Sequence, residues 1–164
     1  MCQAYFGAAG TIWITGLAAA DGSQRKLQTS GTTEFLIDTG SALTLLSPLD
    51  ANRIGIDVSL LKESAQEVSG FGGTCHPLEL GPGRVGLVDE YLTSGVRFHL
   101  EKLDCIYVLP ATCADLPSIL GLDLLERFDL TTDRAHRIAH LRRVGGPGNR
   151  SILVKGLPPS RRGP

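Results

Sequence analysis

The sequence predicts an all-β fold that carries one or two short helices in a single domain. Apolar and polar residues alternate in residues 11–15, as in a strand with one buried face. Short apolar runs at residues 35–37 and 119–121 end at or just before a glycine-containing turn, which is typical of strands that enter tight loops. The chain has 164 residues, enough to bury the core of one domain.

The first third of the chain predicts strands followed by one helix. The predicted strands are residues 11–15, 26–33, 34–37 and 43–47, with a turn at residues 21–23. The strand at residues 34–37 stops at Asp38, so a buried strand is expected to enter a tight loop there. Pro48 is typical of a first helical turn, and Gly55 of a helix end, so a short helix is expected between them.

The rest of the chain predicts a hairpin, two further strands and a second helix. Four residues, Gly70, Phe71, Gly72 and Gly73, predict a hairpin with a mobile tip within residues 68–80. The other predicted elements are a strand at residues 97–108, turns at 110–117, an apolar run at 119–121 and a helix at 122–128.

Residues 145–164 are rich in Gly, Pro, Arg and Ser. We therefore expect a folded domain over residues 1–144 and a largely flexible tail after it. Within the tail, the apolar triplet Ile152, Leu153 and Val154 is compatible with an edge strand at a subunit contact.

Composition narrows the possible partners. Hydrophobic residues make up 42%, charged residues 20% and the net charge is -1, so a nucleic-acid partner is not expected. The apolar runs are too short for a membrane span. A signal peptide would carry Lys or Arg before its apolar segment, but neither residue precedes residues 10–20. We expect a cytoplasmic protein whose four cysteines are reduced. The scattered Cys and His residues predict neither a metal site nor a cofactor.

Asp38 is the candidate catalytic residue. Hydrolysis of a peptide bond without a metal or covalent intermediate needs a water molecule between two carboxyl groups that share a proton. In Asp38-Thr39-Gly40-Ser41, the loop presents a carboxylate, Gly40 allows neighbouring chain to approach closely, and Ser41 is expected to hydrogen-bond the carboxylate. Thr39 is expected to hold the loop against its partner.

Two segments resemble retropepsin-like aspartic peptidases. Residues 35–47 resemble the family's active-site segment, and Ile119, Leu120 and Gly121 resemble its hydrophobic-hydrophobic-glycine segment that leads into a helix. Residues 122–133 are similar to the helix and polar strand of cellular members, such as the peptidase domain of DNA-damage-inducible ubiquitin-receptor proteins. The resemblance implies a barrel, closed or partly closed, with one lobe per chain, and a flap formed by the glycine-rich hairpin with Phe71 at its tip.

The chain contains one Asp-Thr-Gly sequence, so a second aspartate has to come from a second copy. The resemblance therefore implies a homodimer that cleaves peptide or protein substrates, with one Asp38 as general base and its protonated mate polarising the carbonyl. The alternative is a dimer of the same fold that only binds peptides, with weak or no catalysis. We expect Asp123 to stabilise a helix N-terminus rather than to supply the second catalytic acid.

Overall fold

The structure is a computed structural model that describes residues 1–6, 12–20, 32–70, 73–145 and 151–155. For residues 3, 5, 12–15, 17–20, 70 and 151–155 it describes only the backbone. The described residues form thirteen strands and two short α-helices, which confirms the predicted, mostly β order.

The elements follow one another along the chain. The strands are β1 Cys2–Phe6, β2 Ile12–Ala20, β3 Thr33–Ile37, β4 Leu45–Leu46, β5 Lys62–Glu63, β6 Val68–Gly70, β7 Gly73–Cys75, β8 Leu78–Leu92, β9 Gly95–Val108, β10 Ser118–Leu120, β11 Phe128–Asp133, β12 Ile138–Arg143 and β13 Ser151–Lys155. The helices are α1 Pro48–Arg53 and α2 Leu122–Leu125, with short 3-10 helices at Val58–Leu60 and Ala111–Cys113.

One large sheet contains eleven of these strands. Its order is β11-β12-β1-β2-β3-β10-β4-β9-β8-β5, and β13 pairs with β9. Strand β2 pairs with β8 as well as with β3, so the sheet folds back on itself. Because the described part of the sheet keeps β11 and β5 as end strands, it is not a closed barrel, and the closed form of the expected barrel is wrong.

Helix α1 forms where the sequence predicts it. The Ser47 side chain accepts a hydrogen bond from the Asp50 backbone N–H and Pro48 occupies the first turn, a favourable helix start. Gly55 follows the helix with a φ of 86°, a conformation that glycine adopts without strain. The predicted helix is therefore confirmed.

The tail region contributes a strand to the sheet. Strand β13 pairs with β9 of the same chain, from Ser151 opposite His99 to Lys155 opposite Gly95. The triplet Ile152, Leu153 and Val154 is thus in a strand, and the boundary at residue 144 stays a prediction.

Two clusters of apolar side chains lie within the described part of the chain. The larger one fills the space inside the folded sheet and includes Phe35, Leu87, Leu120 and Leu124. The second, which we call the hairpin cluster, lies beside β6 and β7. It contains Leu45, Tyr107 and Leu109, with Leu43, Val68, Cys75, Cys105, Cys113, Leu116 and Ile119 packed against them. The hairpin cluster joins the glycine-rich hairpin to the segment that follows Asp38.

Candidate active site

The two sequence motifs lie on adjacent strands. Strand β10 runs parallel to β3, with Ser118 opposite Phe35 and Leu120 opposite Ile37, and it separates β3 from β4. Asp38 follows β3 directly, and its backbone N–H donates to the Leu120 carbonyl at 3.2 Å. The end of β3 is therefore held by the second motif.

Backbone groups of its own loop orient the Asp38 carboxylate. Asp38 Oδ1 accepts a hydrogen bond from the Gly40 N–H at 2.8 Å. The main-chain carbonyl of Asp38 accepts one from the Ser41 N–H at 3.2 Å. A Cβ on Gly40 would lie 3.1 Å from Asp38 Oδ1, a tight contact that glycine avoids. The turn thus presents one carboxylate in a defined direction.

Ser41 supports the loop in a different way from the one the sequence suggested. Its hydroxyl donates to the Leu43 carbonyl at 2.8 Å, rather than to the Asp38 carboxylate. The expected bond is replaced because the chain turns after Ser41 and brings that carbonyl within reach. The tip itself is open: Thr39 and Gly40 are exposed, and Asp38 is partly exposed.

Gly121 brings the second motif into contact with the loop. A Cβ at this position would lie 2.3 Å from the Leu43 carbonyl oxygen, so only glycine fits there. The backbone N–H groups of the next two residues, Leu122 and Asp123, donate to the carbonyls of Ser41 and Ala42 at 2.9 and 3.2 Å. The start of α2 therefore supports the far side of the Asp38 loop.

Asp123 acts across the fold rather than along its own helix. Its carboxylate accepts hydrogen bonds from the Thr44 hydroxyl at 2.6 Å and from the Thr44 N–H at 3.0 Å. The Thr44 side chain is fully buried and its hydroxyl also accepts from the Gly121 N–H at 3.2 Å. Asp123 does lie in the first turn of α2, but Thr44 was missed, because only the fold brings these residues together.

A second polar network joins β10 to α1. The Ser118 hydroxyl donates to the Asp50 carboxylate at 2.6 Å and accepts from the Ser47 N–H at 2.9 Å. Ser47 and Ser118 are buried, and buried polar groups stabilise a fold when they are satisfied in this way. Both ends of β10 are therefore fixed by hydrogen bonds.

The glycine-rich hairpin is present. Gly70 pairs with Gly73, whose φ is 97°, and β6 and β7 form a separate two-stranded sheet. This confirms the predicted hairpin. The expected tip residues, Phe71 and Gly72, lie outside the described residues.

Two of the described histidines pair with carboxylates other than Asp38. His99 binds the buried Glu101 at 2.8 Å, whereas His136 binds Asp133 at 2.7 Å on the surface. The first contact lies in the interior of the fold and the second at its surface. In the described part of the chain, no helix is long and apolar enough to cross a membrane.

Comparisons with known proteins agree with the fold. No protein-family model and no curated protein matches the chain. A retropepsin-like aspartic protease from Rickettsia conorii is similar in structure, with a TM-score of 0.52 and 22% identity over 85% of this chain and 87% of that one. The retroviral protease-like domain of Ddi1 from Leishmania major matches with a TM-score of 0.41 and 14% identity, over 84% of this chain and 94% of that one.

The likeness to the Rickettsia conorii protein shows that this chain has the retropepsin-like fold. The family resemblance drawn from the two sequence motifs is thereby confirmed at the level of fold. The Asp38 loop and its support by β10 and α2 form the candidate site of this fold.

Proposed function

We propose that this protein is an aspartic endopeptidase that acts as a homodimer, with Asp38 of each subunit forming the catalytic pair. One observation carries the proposal. A partly exposed carboxylate stands in a loop whose backbone orients it and whose far side is tied to the Gly121 segment. A carboxylate held rigidly at an accessible position suits general acid-base catalysis.

The proposed chemistry needs the Asp38 residues of two subunits side by side. Two carboxyl groups at such a distance share one proton, because two negative charges so close repel each other strongly. The ionised group removes a proton from water, and the protonated group polarises the scissile carbonyl. The exposed Thr39 and Gly40 leave the loop tip accessible to the same loop of a second subunit, as a two-fold axis requires.

The proposed substrates are extended peptides with apolar side chains. Strands β6 and β7 form a hairpin that is separate from the large sheet, and such a hairpin can cover a peptide through main-chain hydrogen bonds. Its base packs on the hairpin cluster, which also contains Leu43, five residues after Asp38, and Ile119. Apolar surface next to the catalytic residue favours apolar substrate side chains.

The test is cleavage of a diverse peptide pool from acid to neutral pH. Wild type is compared with Asp38→Asn and with Asp104→Asn, an exposed aspartate of β9 that serves as matched control. Cleavage by wild type and Asp104→Asn, but not by Asp38→Asn, is the expected result. If a folded dimer of wild type binds peptides without cleaving any, the peptide-binding alternative replaces the proposal.

A further inference from the structure

Two thiols pack in the hairpin cluster, one from the hairpin and one from the body of the molecule. Cys75 is the last residue of β7, and Cys113 ends the short 3-10 helix Ala111–Cys113. Both are free, partly buried and packed in the hairpin cluster. Burial, followed by a hydrogen bond to Cys113, raises the pKa of the Cys75 thiol above its ordinary value. Both side chains pack against the same buried residues, Leu45, Tyr107 and Leu109.

The two thiols belong to parts of the molecule that are held very differently. In the described residues, β6 and β7 pair only with each other, and the base of the hairpin is closed by a hydrogen bond from Ser64 N–H to the Pro77 carbonyl at 2.8 Å. Beyond that bond, packing of Val68 and Cys75 on the hairpin cluster holds it against the body. Such an element can move as a unit.

Cys113, by contrast, lies in a hydrogen-bonded turn. Its N–H donates to the Pro110 carbonyl at 2.8 Å, and its carbonyl accepts from the Leu116 N–H at 3.1 Å. The turn leads into β10, which binds the Asp38 backbone. A covalent bond between the two cysteines would join a movable hairpin to the support of the candidate site.

We propose that Cys75 and Cys113 are an oxidisable pair whose disulfide tethers the hairpin to this turn and restricts its opening. With oxidised glutathione as the oxidant, one cysteine thiolate attacks the glutathione disulfide and releases one reduced glutathione. The second cysteine thiolate then attacks the protein sulfur of the mixed disulfide and releases the second. Two protein thiols are oxidised, one glutathione disulfide is reduced, and reduction by excess thiol reverses the reaction.

The thiolate is the reactive form, so the raised pKa of Cys75 makes its oxidation slow at neutral pH and faster in alkaline solution. Formation of the bond and restriction of the hairpin do not depend on the proposed function. The effect on peptide cleavage does rest on it.

The first experiment maps disulfides in the full chain after treatment with oxidised glutathione at pH 7 and pH 9. We expect a peptide pair joined through Cys75 and Cys113, a mass loss of about 2 Da, and faster formation at the higher pH. The bond should form in Cys105→Ser, the matched control from the same cluster, but in neither Cys75→Ser nor Cys113→Ser. A disulfide that uses Cys105, or stable glutathione adducts at Cys75 and Cys113, would overturn the proposal.

The second experiment measures amide hydrogen exchange in β6 and β7. Oxidation should slow exchange in wild type, excess dithiothreitol should restore it, and Cys113→Ser should show no change. Unchanged exchange in the cross-linked protein would disprove the tether. Oxidised wild type should also cleave peptides roughly tenfold more slowly, because the hairpin has to open for substrate to enter. If the reduced wild type cleaves no peptide, the proposed function is contradicted. The disulfide mapping and the hydrogen-exchange measurement still test the tether in that case.

Discussion

Hydrogen bonds between single residues hold the segment that follows the Asp38 loop. Thr44 and Asp123 are 79 residues apart in the chain, yet they share two hydrogen bonds, one of them from a buried hydroxyl. A hydrogen bond to a charged acceptor contributes more than one between neutral groups. The contact therefore connects α2 to the segment after Asp38 at the point where the loop needs to be rigid.

Replacing Asp123 by alanine should reduce the free energy of unfolding by roughly 2–4 kcal/mol, because it removes both acceptors from the buried Thr44. Urea unfolding followed by circular dichroism measures the change. Asp104→Ala, at an exposed position of β9, is the control and should differ from wild type by less than about 0.5 kcal/mol. Equal stability of the two variants would show that the contact contributes little.

Gly121 admits no side chain. Gly121→Ala should destabilise the protein by more than about 3 kcal/mol, because the new Cβ would lie 2.3 Å from the Leu43 carbonyl oxygen. The double variant with Leu43→Ala should be no more stable, since the clashing atoms belong to the backbone of Leu43. Thermal unfolding of both proteins checks this, and rescue by the second substitution would contradict the steric explanation.

At the scale of elements, a buried carboxylate connects β9 to β12 and to the end of α2. Glu101 is fully buried and binds His99 at 2.8 Å, Arg143 at 2.6 Å and Arg127 at 3.1 Å. Burial raises the pKa of Glu101, but the hydrogen bonds from these three side chains outweigh it and hold the pKa below its ordinary value. The folded state therefore favours the ionised form.

This network predicts a loss of stability in acid. Because the pKa of Glu101 is lower in the folded than in the unfolded chain, its charge stabilises the fold above about pH 4.5, and the contribution is lost as the pH falls through the folded-state pKa. Glu101→Gln should therefore lower the free energy of unfolding by about 3 kcal/mol at pH 7, because the partly buried charges of Arg127 and Arg143 lose their carboxylate partner. The deficit should shrink as the pH falls below about 4.5, where the unfolded wild type takes up a proton first and the folded protein follows at its lower pKa.

Urea unfolding at pH 3, 5 and 7 measures this difference. Glu126→Gln, which changes an exposed glutamate next to α2, is the matched control and should follow wild type at each pH. A deficit of Glu101→Gln that stays constant from pH 3 to pH 7 would show that the carboxylate charge is not responsible.

At the scale of the whole molecule, the proposed active site needs two subunits. Mixing equal amounts of wild type and Asp38→Asn, followed by exchange of subunits, should leave about one quarter of the dimers with two aspartates. Cleavage per total protein should then fall to about one quarter of the wild-type rate. A peptidase that works as a monomer would retain about one half, so a rate assay of the mixture separates the two cases.

Strand β8 of the large sheet has a local composition that does not predict a strand. Gly81, Pro82 and Gly83 are typical of a turn, yet they lie within β8, which pairs with β9 over most of its length. The register shifts at these positions and Gly81 has a φ of 92°, so the irregular residues become bulges. Neighbouring strands on both sides override the local preference for a turn.

Local chemistry allowed the sequence by itself to determine the Asp38 turn, helix α1 and the glycine-rich hairpin. Each depends on residues close together in the chain, such as Gly40 beside Asp38 or Pro48 at a helix start. Only the tertiary structure decided that β10 lies between β3 and β4, that Asp123 binds Thr44, and that Glu101 is buried among basic side chains. Hydrogen-bond partners from distant parts of the chain leave no periodic signal, because packing of the whole sheet selects them.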